Sequence, residues 1–216
     1  MNINNIKGAI FDLDGTLFDS MWVWTYVDTE FLKKRNIKAD DEYIKALGPM
    51  GFQRAAEYSK TRFNLPETTE EILLEWFGLA KDAYDNKIEL KDGAKEYLEY
   101  LYKKGVKLGI ATSNHPELCQ GALKRFGIYD MFSSFTLTAE VENGKACPDV
   151  YLLCAERLGT APQETAVFED IAVGLNGAKK GGFITVGVKE ETSLDDEEEI
   201  KKVSDIYIES FKELII

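Results

Sequence analysis

The chain has 216 residues, enough for one large domain or two small ones, and its 44% hydrophobic and 30% charged residues exclude collagen, a coiled coil and wholesale disorder. Its 26 Lys and Arg against 38 Asp and Glu leave a net charge of −12, the wrong footprint for sequence-independent nucleic-acid binding. No apolar run reaches the ~20 residues that span a bilayer, the N-terminal MNINNIKGAIFDLDG reads as no signal peptide, and Cys119, Cys147 and Cys154 fit no disulfide or zinc spacing.

A cytoplasmic protein with neither nucleic-acid nor membrane partner is therefore expected. Residues 7–14, KGAIFDLD, form a compact apolar run ending in carboxylates, which suits a buried strand with an acidic tip. From about Ser20 to Asn86 the pattern is helical. Trp22, Tyr26, Phe31 and Leu32 recur at helical spacing, and Ile44, Leu47, Ile72, Leu73, Trp76, Phe77 and Leu79 continue that mode. Breaks at Gly48, Pro49 and Gly51 and again over Asn64–Pro66 divide the stretch into four helices with no strand.

After Leu90 strands and helices alternate. Asp92 is placed to cap a helix running to Gly105; VKLGIATS follows as a strand, and Pro116 opens a helix that stops at Gly127. SSFTLTA is the next strand, and Pro148 opens a helix that stops at Gly159. TAVFED, FITVGV and IYIES are further strands, with DIAVGLNGAKKGG a helix between the first two. The acidic run Asp195–Glu199 reads as the solvated start of a helix, where carboxylates suit the positive end of the dipole. Alternation at this spacing predicts an α/β fold, a Rossmann-like parallel sheet core built from residues 1–18 and 88–216. Residues 19–87 are then an inserted α-helical domain.

In open parallel sheets ligands sit beyond the carboxyl ends of the strands. Those ends carry Asp12 and Asp14 with Gly15 and Thr16; Thr112, Ser113 and Asn114; Lys145; and Glu169 with Asp170. Four carboxylates in one pocket repel one another, and a hard cation with oxygen ligands relieves that repulsion. Mg²⁺ suits the set, because it keeps several waters and shares its remaining positions with a phosphate. A lysine, a hydroxyl and loop amides would hold the other phosphate oxygens. The expected site is therefore a Mg²⁺-dependent phosphoryl-transfer centre. Asp12 and Asp14 could instead belong to a calcium loop, but DLDGTLFDS lacks the terminal glutamate such a loop needs.

DLDGT at 12–16 resembles the first motif of the haloacid dehalogenase-like superfamily. The strand ending in Thr112, then Lys145 ahead of Pro148 and Asp149, then Glu169-Asp170 resemble its second, third and fourth motifs in order. The match spans essentially the whole chain, and the insertion after DLDGT resembles the family's small helical cap. The resemblance implies a covalent mechanism on a small phosphorylated metabolite, by a monomeric enzyme. Asp12 would be the nucleophile and Asp14 the general acid and base, with its backbone carbonyl on the metal. Thr112, Ser113, Asn114 and Lys145 would bind the phosphoryl group, and Asp12, Asp14, Asp170 and Glu169 would hold Mg²⁺.

Phosphatase and β-phosphoglucomutase branches share this core. The mutases carry a histidine in the first cap helix, matched here to Trp24, and an arginine in the cap loop near Phe52. Without those polar groups to hold a bisphosphate, water is the expected acceptor and hydrolysis the expected reaction. A non-catalytic phosphate-binding module is the third alternative; the acid–base residue Asp14, which such a module has no need of, speaks against it. The single histidine, His115, beside Pro116, is expected to help start a helix, and Trp22 to pack in the helical core. Gly48, Pro49, Met50, Gly51 and Phe52 are the cap loop that in this family faces the site; Cys147 carries no mark of reactivity.

Overall fold

The computed structural model of the chain describes residues 3–47, 50 and 52–215, with only the backbone described at Asn4, Leu194 and Asp195. Of the expected loop, Gly48, Pro49 and Gly51 therefore lie outside the described residues. The chain divides into two compact units, Met1–Met21 with Glu89–Ile216, and Trp22–Ile88.

The first unit is built on a six-stranded sheet in which every neighbouring pair is parallel. Its strands are β1 (Gly8–Phe11), β4 (Lys107–Thr112), β5 (Phe132–Leu137), β6 (Thr165–Glu169), β7 (Ile184–Val188) and β8 (Ile206–Ile208), in the order β5-β4-β1-β6-β7-β8. A separate antiparallel pair, β2 (Phe18–Asp19) with β3 (Glu89–Leu90), ties together the two segments that flank the second unit. That short strand at Phe18–Asp19 is too brief to leave a periodic signal.

Five helices complete this unit: α5 (Ala94–Lys103), α6 (Pro116–Arg125), α7 (Asp149–Leu158), α8 (Ala172–Lys180) and α9 (Glu197–Val203). The strands show the continuous burial of a sheet covered on both faces: β1, β6 and β7 are buried at every position. Because side chains alternate across a strand, Ile10 and Val167 share one face with Tyr151, Cys154 and Leu158 of α7 and Ala178 of α8. Phe11 and Phe168 take the other, their rings stacked with centroids 4.4 Å apart, against Tyr97 of α5 and Phe211. His115 caps α6, its Nδ1 accepting the Glu117 N–H, with Pro116 in the first turn. Asp92 does not cap α5. Gly93 takes that place at φ +74°, and the Asp92 carboxylate instead accepts the Ser210 hydroxyl at 2.6 Å.

The second unit contains α1 (Trp22–Lys33), α2 (Asp41–Leu47), α3 (Phe52–Phe63) and α4 (Thr69–Asn86), and α4 begins with a full capping box between Thr68 and Glu71. The stripe that α1 buries is Val23, Val27, Phe31 and Leu32, displaced by one residue from the expected Trp22–Tyr26 register. Trp22 is consequently exposed, its ring set edge-on to Tyr26. The core of this unit is aromatic: Phe31 meets Trp76 edge-on, and Tyr43, fully buried, bonds the Ser59 hydroxyl at 2.8 Å. Among the described residues no helix is long and apolar enough to cross a membrane.

Asp28 sits half-buried on α1, and burial pushes its carboxyl from 3.8 up to about 7. Below 3.8 the group is protonated folded and unfolded alike. As pH rises from 3.8 to about 7 the unfolded chain releases the proton that the folded chain still holds, so stability is lost across that window and levels off above it. Asp28→Asn is expected to match the wild-type Tm near about pH 4 and to exceed it near about pH 8. Equal Tm values at the higher pH would show that the carboxylate is solvated.

Candidate active site

The sheet order makes β1 the switch point: the chain winds outward through β4 and β5, then returns across β1 to β6, β7 and β8. Ligand crevices form at such points, outside the carboxyl ends of the strands. Register then decides which side chains meet there. Phe11 pairs with Phe168, and the Asp12 N–H donates to the Phe168 carbonyl at 3.0 Å, so Asp12 leaves β1 directly beside Glu169 and Asp170. One carboxylate oxygen from each of the three lies within 4.8 Å of the others. All three are buried, at 6%, 0% and 2% exposure.

Lys145 enters from the turn Gly144–Ala146 and ion-pairs with Asp12 and, at 2.7 Å, with Glu169. Burial alone would lower its ammonium pKa, but those two carboxylates hold it well above the ordinary lysine range. Burial likewise raises the Asp12 carboxyl; Lys145 pulls it down, and Glu169, Asp170 and Asp14 push it further up. Burial, then the Glu169 charge, push Asp170 up to about 7. Fully ionised, three carboxylates and one ammonium leave an uncompensated charge of −2 in a desolvated pocket.

A divalent cation fits that deficit. The donor set is oxygen only, and Glu169 Oε2 is a buried carboxylate oxygen with no hydrogen-bond partner. The local backbone is shaped around these groups. Gly15 adopts φ +79°, and a Cβ there would fall 2.3 Å from Asp170 Oδ2. Thr16 donates its hydroxyl to Asp170 Oδ1 at 3.0 Å.

Asp14 stands apart from the carboxylate cluster. Its Oδ1 accepts the Ser20 hydroxyl at 2.6 Å and its Oδ2 the Asn114 amide at 2.7 Å. Both oxygens are thus oriented by donors from two different loops. Thr112, at the tip of β4, is buried, and its hydroxyl oxygen accepts the Asn114 N–H at 3.1 Å; Ser113 is exposed beside it.

Sequence reasoning does not single out Ser20 or Tyr151. Tyr151 donates its hydroxyl to Glu169 Oε1 at 2.8 Å from within the apolar face of α7. At helical spacing from Cys154 and Leu158 it reads as a core residue, and no pattern signals a partner for its hydroxyl. In the second unit Trp24 and Phe52 lie edge to face, ring centroids 4.9 Å apart.

Residues 9–188 match the family model described as haloacid dehalogenase-like hydrolase. The chain is 24% identical over 178 residues to the phosphorylated carbohydrates phosphatase of Thermotoga maritima, with 82% of each chain covered. It is 26% identical over 233 residues to the β-phosphoglucomutase of Bacillus subtilis, covering 96% of this chain and 95% of that one. Among solved structures it is similar in fold to a HAD hydrolase, family IA, variant 3, from Entamoeba histolytica, with TM-score 0.76 and 23% identity over 98% and 96% of the two chains.

Gly177 on α8 lets the Lys145 turn approach: a Cβ there would lie 2.0 Å from the Lys145 carbonyl oxygen, a backbone atom that cannot swing away. Gly177→Ala is expected to destabilise the protein by about 1–3 kcal/mol in chemical denaturation, as overpacking does. Gly78, on α4 with nothing within 4 Å of its added Cβ, provides the contrast. Gly78→Ala should stabilise by roughly 0.5–1 kcal/mol through helix propensity alone.

Proposed function

The chain belongs to the haloacid dehalogenase-like hydrolases and is a phosphoric monoester hydrolase of that family; we propose that it hydrolyses a small phosphorylated metabolite in the cytoplasm through an aspartyl-phosphate, with Mg²⁺ as cofactor. The observation that carries this reading is the Lys145 ammonium held between Asp12 and Glu169, with Asp170 alongside, at the carboxyl ends of β1 and β6.

Asp12 attacks phosphorus, and the P–O bond to the leaving group breaks as the bond to the carboxylate oxygen forms. Asp14, oriented by Ser20 and Asn114, protonates the leaving oxygen. It then takes a proton from water, which attacks the same phosphorus and releases phosphate, restoring the Asp12 carboxylate. Lys145 and the Thr112 hydroxyl, with the Ser113–Asn114 loop, bind phosphoryl oxygens. Asp12, Glu169, Asp170 and the Asp14 main-chain carbonyl would hold Mg²⁺, which would supply positive charge to offset that of the phosphoryl group.

The mutase alternative shares these core residues, and the B. subtilis relative keeps it in view. Trp24 and Phe52, packed against each other, carry neither the imidazole nor the guanidinium that the mutases have at the matched positions. That supports water as the acceptor of the phosphoryl group.

Phosphate release from a panel of phosphomonoesters tests the proposal. Asp12→Asn is expected to lose on the order of 10⁴-fold in kcat, because an amide does not attack phosphorus. Near-wild-type turnover by that variant would sink the covalent route. Chelation should abolish release and added Mg²⁺ restore it; full activity in excess chelator removes the metal from the mechanism. Given β-glucose 1-phosphate and a trace of the 1,6-bisphosphate, the enzyme should release phosphate if it reacts at all, whereas rapid accumulation of glucose 6-phosphate would make it a mutase.

A further inference from the structure

Glu169 is fully buried, yet its two carboxylate oxygens stand in opposite conditions. Oε1 accepts two donors, the Tyr151 hydroxyl at 2.8 Å and the Lys145 ammonium at 2.7 Å, while Oε2 accepts none. The α8 backbone closes in on this carboxylate: a Cβ on Gly174 would fall 2.5 Å from Glu169 Cδ. Tyr151 is itself immobilised among Ile10, Val167, Ala178 and Phe183, at 0% exposure.

We propose that Tyr151 is a positioning residue that occupies Glu169 Oε1 and so leaves the cation a single oxygen from this side chain, favouring Mg²⁺ over Ca²⁺. The inference rests on the reading of Asp12, Glu169 and Asp170 as the cation site. The physical basis is denticity. Ca²⁺ accommodates six to eight oxygens at ~2.3–2.6 Å and uses bidentate carboxylates freely, whereas Mg²⁺ demands a compact octahedron at ~2.0–2.1 Å with one oxygen per ligand. A glutamate with one oxygen already saturated by two donors offers the second geometry and withholds the first. Groups that orient a ligand from behind typically alter metal affinity by ~10–100-fold when removed.

The test is direct metal binding to the whole protein without substrate, by calorimetry and by metal-induced shifts in Tm. Tyr151→Phe deletes one oxygen and keeps the ring; circular dichroism and the metal-free Tm verify its fold. If the shorter ring disturbs packing, 4-fluorophenylalanine placed at position 151 fills the same space without a donor. The expected result is a Mg²⁺ Kd raised about tenfold, with the Ca²⁺ Kd unchanged or lowered, so that the ratio between them falls. A ratio that stays within about twofold of wild type overturns the proposal, since a purely structural tyrosine would not move it.

Glu169→Gln separates this failure from failure of the site itself. The glutamine oxygen still accepts from Tyr151 and Lys145, but the free carboxylate oxygen is gone. If that variant binds Mg²⁺ as tightly as wild type, the cation site is misassigned and the proposal falls with it. If it loses Mg²⁺ while Tyr151→Phe keeps the wild-type ratio, only the role of Tyr151 is wrong.

Discussion

A buried charge imbalance governs this molecule. Asp12, Glu169 and Asp170 are withdrawn from water at the tips of two neighbouring strands, with one ammonium, that of Lys145, set among them. Desolvated like charges are costly, and each element around the site answers that cost in part. Lys145 spans two of the carboxylates, Thr16 and Tyr151 donate to Asp170 and Glu169, and the second oxygen of Glu169 is buried with no donor. On the proposed reading, a dianionic phosphate enters this pocket only with further positive charge, which would couple substrate and metal affinity through the same four side chains.

The sheet assembles this arrangement without help from local sequence. β1, β4 and β6 are neighbours in the sheet but are far apart along the chain. Parallel pairing in register brings the carboxyl ends of β1 and β6 level, so Asp12 meets Glu169 and Asp170 with carboxylate oxygens within 4.8 Å of one another. The small residues Gly15, Gly174 and Gly177 then allow backbone to close over the charged groups. The charged groups lie at strand tips and in loops, while the strand residues behind them pack the core.

Much of this is legible in the sequence because strand and helix periodicities differ so plainly after Leu90, where short apolar runs alternate with helices bounded by Pro116 and Gly127 or by Pro148 and Gly159. The carboxylates are legible for the same reason: Asp12, Glu169 and Asp170 each terminate an apolar run, where a buried charge has no packing role. Other features leave no linear trace. Phe31 and Leu32 are buried as expected, but the first half of α1 is off by one residue because Trp22 and Tyr26 are large enough to read as core, and only packing selects Val23 and Val27. Gly93 displaces Asp92 as the cap of α5 because a contact with Ser210, 118 positions away, claims the carboxylate. Ser20 and Tyr151 escape notice because a hydroxyl's partner is a matter of three-dimensional proximity. No spacing rule links Tyr151 to Glu169.

The central position of β1 also bears on how the chain is made. It lies near the N-terminus, yet its two sheet neighbours are β4 and β6, and Gly8 pairs with Thr165, 157 residues later. At translation rates of ~5–20 residues per second, the apolar segment Gly8–Phe11 waits roughly 8–30 s for its second partner strand to be synthesised. The helical unit Trp22–Ile88 is contiguous and can condense during that interval. The sheet cannot close until most of the chain exists. A nascent chain that has reached Ile88 holds the whole helical unit but neither sheet neighbour of Gly8–Phe11, so that apolar strand gains its first partner with β4 and its second only with β6.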